Sequence, residues 1–172
     1  MSDNTYEPIK KVSIICSHGG LDEVYPALIM ANGARMEGMD ASIFFTFFGL
    51  NAIMKSMVKK LKVATVGNPS LNLAMPMMKM PITAPLPTLL GAIPGVSAMA
   101  SSMMKSEMEK LDIPEVDEFL GMIADAGGHL YACKLAMDMF KLTKDDLVPQ
   151  VEDVLTVGQF YEKSAGASII FT

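Results

Sequence analysis

The 172-residue chain predicts a three-layer α/β/α sandwich around a mainly parallel sheet, and three observations carry that prediction. Short apolar runs at 12–16, 40–47, 129–133, 154–156 and 167–171 are too brief for buried helices and read as strands. Segments with helical spacing separate them, which is the pattern of parallel βαβ units. The runs at 12–16 and 40–47 are nearly continuous in apolar content, as a sheet covered on both faces requires.

The first strand, Val12-Ser13-Ile14-Ile15-Cys16, leads through the turn Ser17-His18-Gly19-Gly20 into a helix over 21–37. There Val24, Leu28, Ala31 and Ala34 recur at helical spacing, and Gly38 supplies the C-cap signal. Residues 40–47 form the second strand, and Phe48-Gly49-Leu50-Asn51 turns into a short helix predicted over 52–60. Val63-Ala64-Thr65-Val66, bounded by Gly67-Asn68-Pro69, reads as a further short strand. Helices follow over 96–111 and 116–126, the second ended by Gly127-Gly128. The strand ending at Cys133 runs into a helix over 134–140, then a turn through Thr143-Lys144-Asp145-Asp146. A strand at 154–156, a helix over 157–165 and a closing strand at 167–171 complete the order.

Methionine and proline dominate residues 71–94, and residues 80–104 carry no charge. That length raises the question of a membrane span. Pro81, Pro85, Pro87 and Pro94 answer against one, because each removes a backbone donor that hydrocarbon would leave unsatisfied. Residues 71–104 are therefore expected to act as an apolar cover folded over the crevice and buried at a homo-oligomer interface.

Composition bounds the function further. A hydrophobic content of 51% with 19% charge gives one domain with a sizeable core. The net charge of -5, with no Lys/Arg stripe, argues against nucleic acid as a partner. The polar start, Met1-Ser2-Asp3-Asn4-Thr5-Tyr6-Glu7, lacks a signal-peptide core, so a cytoplasmic location is expected, with both cysteines as thiols.

Cys133 is the leading candidate for chemistry. It stands where an apolar run ends and a helical pattern begins, the place where a parallel strand delivers a side chain to the ligand crevice and free helix N–H groups favour a thiolate. Lys134 is its nearest cation in sequence, although adjacent helical residues face different ways. Cys16, at the end of the first strand, would approach Cys133 and form a resolving disulfide only if the two strands are neighbours; otherwise it is a core thiol. Ser17, His18 and Gly19 in the turn after the first strand, with Thr46 and Asn51 after the second, are candidate pocket residues. The glycine turn lacks both the dinucleotide and the P-loop patterns. Zinc fits poorly, since His129 and Cys133 bracket one strand and lie about 13 Å apart at roughly 3.3 Å per residue.

Taken in order, several segments form a recognisable set: Gly20-Leu21-Asp22 with Tyr25-Pro26-Ala27-Leu28, Phe44-Phe45-Thr46-Phe47-Phe48-Gly49-Leu50-Asn51, and Gly67-Asn68-Pro69. Leu89-Leu90-Gly91-Ala92-Ile93-Pro94-Gly95 and Tyr131-Ala132-Cys133-Lys134-Leu135-Ala136-Met137-Asp138 complete it. In these the chain resembles the DsrE/DsrF/DsrH-like family, and within it the DsrE2-type branch of small sulfur-carrier proteins, over nearly its whole length. The resemblance implies a five-stranded sheet, a homo-oligomer, and a cysteine, aligned with Cys133, that carries sulfane sulfur as a persulfide without metal or cofactor. It implies sulfur donors and acceptor thiols as partners, a TusA-like carrier protein among them. Cys16 departs from it, standing where a small non-thiol residue is expected.

Two functions follow as expectations. In the first, a sulfur-relay protein or persulfide sulfurtransferase uses Cys133 as its nucleophile. In the second, a noncatalytic scaffold uses the Met/Pro segment to dock a partner or a membrane surface.

Overall fold

In a computed structural model, which describes residues 8–64 and 95–172, the apolar runs form one sheet of five strands. These are β1 (Lys11–Cys16), β2 (Asp40–Phe45), β3 (His129–Cys133), β4 (Asp153–Leu155) and β5 (Ser168–Phe171), in the spatial order β4-β3-β2-β1-β5. Every pairing is parallel. Ile15 stands beside Phe44, and Phe44 beside Tyr131; one step on, Cys16, Phe45 and Ala132 stand in a row. All strands therefore end on the same edge.

Register and the period of two sort the side chains onto two faces. One face carries Val12, Ile14 and Cys16 from β1, Ala41, Ile43 and Phe45 from β2, and Leu130 and Ala132 from β3, all buried. Fully burying side chains the size of Ile14, Ile43, Phe45 and Leu130 contributes about 1.5–3 kcal/mol each before entropy. The other face carries Ser13 and Ile15, Ser42 and Phe44, and His129, Tyr131 and Cys133. The two serines there are buried, and their hydroxyls satisfy each other at 3.0 Å.

The helices are α1 (Leu21–Met36), α2 (Val96–Lys110), α3 (Val116–Asp125), α4 (Lys134–Phe140) and α5 (Val157–Lys163). The α1 and α3 helices lie side by side: Tyr25 and Phe119 meet with ring centroids 6.3 Å apart, and Arg35 donates to the Ala126 carbonyl at 2.8 Å. The step from β4 to β5 runs back across the sheet, opposite in direction to the step from β1 to β2, so right-handed crossovers put α5 and α1 on opposite faces. Phe160 of α5 stacks on Phe44 with centroids 4.5 Å apart, which fixes α5 on the Cys133 face. The result is the expected α/β sandwich.

Three sequence expectations change. After β2 the chain forms a 3-10 helix over Phe47–Ile53 followed by turns, in place of a helix over 52–60. The cause is a close approach of two loops: Gly49 N–H faces the carbonyls of Thr46 at 2.9 Å and Ser17 at 3.1 Å, and a side chain on Gly49 would strike the Cys16 carbonyl. Of the strand expected over 63–66, Val63 and Ala64 are not strand, and residues 65–66 lie outside the described residues. Val63 N–H donates to Ser101 Oγ at 2.9 Å and its carbonyl accepts from Ser97 Oγ at 3.0 Å, so helix side chains take the groups a ladder would have used. The strand before α5 starts one residue early, at Asp153.

The chain divides into two compact units, one of residues 1–19, 23–60 and 115–172, the other of 20–22 and 61–114. The first holds the whole sheet. Within the described part of the second, Leu21 N–H donates to the Lys62 carbonyl at 3.0 Å and α2 holds Val63 through the two serines above. Residues 71–94 of the Met/Pro segment lie outside the described residues. Among the described residues no helix is long and apolar enough to cross a membrane.

Candidate functional site

Cys133 is the last residue of β3 and the N-cap position of α4, with φ -76° and ψ 118°. The backbone is extended up to its Cα and helical immediately after. This delivers the thiol to the carboxyl edge of the sheet, where open α/β folds bind ligands. The side chain is buried, 4% exposed, on the wall of a cavity of about 410 Å3. That volume lies within the range of small-molecule sites.

The wall is built from four directions. Ile15 and Phe44 form the floor from β1 and β2, with Thr46 and Phe47 at the exit of β2. Leu135, Ala136 and Met139 come from α4, and Val157, Phe160 and Tyr161 from α5. The α5 start is fixed by a capping box, in which Gln159 N–H donates to Thr156 Oγ1 at 3.3 Å and Thr156 N–H donates to Gln159 Oε1 at 2.8 Å. Among the described residues no charged side chain lines the cavity.

Of the residues singled out from sequence, Cys133 and Thr46 line this cavity together. Ser17, His18, Gly19 and Asn51 lie at the same end of the sheet but outside its wall. Ser17 Oγ and His18 Nδ1 are 2.9 Å apart, and a side chain on Gly19 would meet the Phe48 carbonyl and the Asn51 amide. Lys134 is exposed and paired with Asp138 at 3.1 Å, one helical turn on, so its ammonium is engaged away from the wall.

Cys16 does not join Cys133. Strand β2 lies between β1 and β3, which separates the two cysteines by two strand spacings, roughly 10 Å, against the 4.4–6.8 Å that a disulfide spans between Cα atoms. The condition for a resolving pair, neighbouring strands, is not met. The two side chains also point to opposite faces of the sheet. Burial pushes the Cys16 thiol up to about 11, partly opposed by the hydrogen bond to Thr172, with Glu23 adding to the rise. Its Sγ sits 3.6 Å from the His18 carbonyl, where it donates weakly.

The sequence reading missed most of the wall. The signal for part of it was present, since Val157, Phe160 and Tyr161 fall on one helical face at i, i+3 and i+4. Their destination depended on which face the crossover from β4 to β5 would cover. His129, at the opposite edge, is engaged by its neighbours: its Nδ1 pairs with Glu152 at 2.6 Å, its Nε2 faces Asp40 at 3.7 Å, and its ring stacks beside Tyr131.

A family model described as DsrE/DsrF/DsrH-like matches residues 8–171. A sulfur carrier protein, DsrE2, of Allochromatium vinosum is 33% identical over 143 residues, which is 83% of this chain and 86% of that protein. The uncharacterised protein YrkE of Bacillus subtilis is 27% identical over 146 residues, 85% of this chain and 86% of its own length. Two solved structures share the fold at low identity. The ychN protein of E. coli superposes with a TM-score of 0.55 at 11% identity, covering 95% of this chain and 100% of its own. Protein MTH1491 of Methanobacterium thermoautotrophicum, of unknown function, gives 0.54 at 12%, covering 94% and 98%.

Proposed function

This chain belongs to the DsrE/DsrF/DsrH-like family, and from that premise we propose that it is a sulfur-relay protein in which Cys133 carries sulfane sulfur as a persulfide. The observation that carries the reading is the placement of Cys133, a buried thiol on the wall of an open apolar cavity at the carboxyl edge of a parallel sheet. The name of the Allochromatium vinosum relative, a sulfur carrier protein, points the same way. Cys16, held as a neutral thiol on the other face, is a core residue in this account.

The chemistry is that of thiol–disulfide exchange, at an outer sulfur that carries hydrogen in place of carbon. The Cys133 thiolate attacks the terminal sulfur of a donor R–S–SH; the donor's S–S bond breaks and its electron pair leaves on RS⁻, which takes up the proton that Cys133 released. Cys133–S–SH and RSH result, with no net oxidation. In release, an acceptor thiolate attacks the outer sulfur and Cys133 returns to the thiol. Neither half requires a metal or a cofactor.

The same reading treats the chain as one domain with residues 71–104 as a Met/Pro-rich insertion, working in the cytoplasm as a homo-oligomer with an acceptor thiol or a TusA-like carrier as partner. Exposed apolar residues around the Cys133 face, among them Leu135, Tyr161 and Phe171, support self-association. The relay is tested from the release side. Protein loaded with sulfur, freed of donor and mixed with a small acceptor thiol should transfer one sulfur and return to its reduced mass. Equal transfer by Cys133→Ser would overturn the assignment.

A further inference from the structure

We infer that the donor for Cys133 is an organic hydropersulfide with an apolar body, whose hydrocarbon group occupies the cavity beside the thiol; this rests on the sulfur-carrier reading above. The first argument is size. The cargo is one sulfur atom, comparable to a water molecule with its share of roughly 30 Å3, whereas the cavity holds about 410 Å3. Most of the space is built for something other than the transferred atom.

The second argument is the chemistry of the wall. Among the described residues it contains no charged side chain, and Lys134, the nearest cation in sequence, is paired with Asp138 at 3.1 Å outside it. A doubly charged donor such as thiosulfate, or a donor carrying several charges such as glutathione hydropersulfide, would shed hydration on entry and find no counter-charge. A hydrocarbon body has the opposite balance. The stacked rings of Phe44 and Phe160 offer it a flat, fixed face, while Leu135 and Met139, 68% and 52% exposed, form an adaptable rim on α4. The transfer is balanced as Cys133–SH + R–S–SH → Cys133–S–SH + RSH, with R the apolar group left in the cavity until RSH departs.

The test compares two donors that share the hydropersulfide group, with thiosulfate, which releases sulfite instead of a thiolate, as a charged third donor. The reduced full-length protein is mixed with benzyl hydropersulfide, glutathione hydropersulfide or thiosulfate, and the rate of sulfur gain at Cys133 is followed by mass spectrometry, each rate divided by that of a free cysteine derivative. The normalised rate for benzyl hydropersulfide should exceed that for glutathione hydropersulfide at least tenfold, with thiosulfate slowest. Met139→Arg, at an exposed position, should shrink that ratio and raise the thiosulfate rate. Equal normalised rates for the two hydropersulfides, or faster loading from thiosulfate, would overturn the donor inference while leaving the carrier reading intact. Failure of every donor to load Cys133 would overturn both.

Discussion

A one-residue step in register puts Cys16 and Cys133 on opposite faces of the sheet, because Cys16 is level with Ala132 through Phe45. Each face then dictates a different chemistry. Cys16 is fully buried among apolar side chains, and desolvation holds it protonated up to about 11. Cys133 opens onto the cavity. Treating the native protein with iodoacetamide at about pH 8 should alkylate Cys133 first and leave Cys16 untouched until the chain unfolds. Peptide mapping showing equal labelling of both would contradict that assignment. The sequence made Cys133 legible because strand end and helix start abut there, and Thr46 legible for the same reason at β2. The fate of Cys16 was not legible, since neither strand order nor register is written in any local pattern.

Among the elements, α5 matters beyond its seven residues. Among the described residues it is one of two α-helices in the cavity wall, and Phe160, 2% exposed and stacked on Phe44, anchors it to the sheet. Phe160→Ala should cost about 3–5 kcal/mol, read as a lower denaturation midpoint in urea, and should slow sulfur loading by widening the wall. The turn Lys144–Asp146 has its own acid limit. Asp146 accepts from the Thr143 N–H and hydroxyl, both at 2.8 Å, and these bonds, the backbone one first, hold its carboxyl below the ordinary 3.8. A depressed carboxyl stabilises the fold above its unfolded value and loses that contribution as pH falls through the folded one. Protection of the Thr143 amide against hydrogen exchange should therefore hold above about pH 4 and drop below it, and Asp146→Asn should remove that dependence. Helix limits were close to those read from spacing. The 3-10 helix Phe47–Ile53 and the backbone of Val63 were not, because loop packing at Gly49 and serine side chains from α2 decide them.

At the scale of the molecule, the two faces of the sheet are unequally covered. The residues that β1, β2 and β3 place on one face, from Val12 to Ala132, are buried, whereas on the Cys133 side the edge strand β5 leaves Ile169 and Phe171 50% and 67% exposed. An apolar edge strand left in water invites pairing, so light scattering on detergent-free protein should give a mass of at least two chains, and a stable monomer would count against the oligomer. The alternation of strands and helices made the layered architecture legible in the sequence. The unequal covering was not, because it follows from the return crossover to β5. The claim on which the rest depends is that Cys133 holds sulfane sulfur, and intact-protein mass tests it most directly. After exposure to a hydropersulfide donor the reduced protein should gain about 32 Da on Cys133, reversed by a thiol reductant, with the gain kept in Cys16→Ser and lost in Cys133→Ser. Loading that survives in Cys133→Ser and disappears in Cys16→Ser would contradict the account.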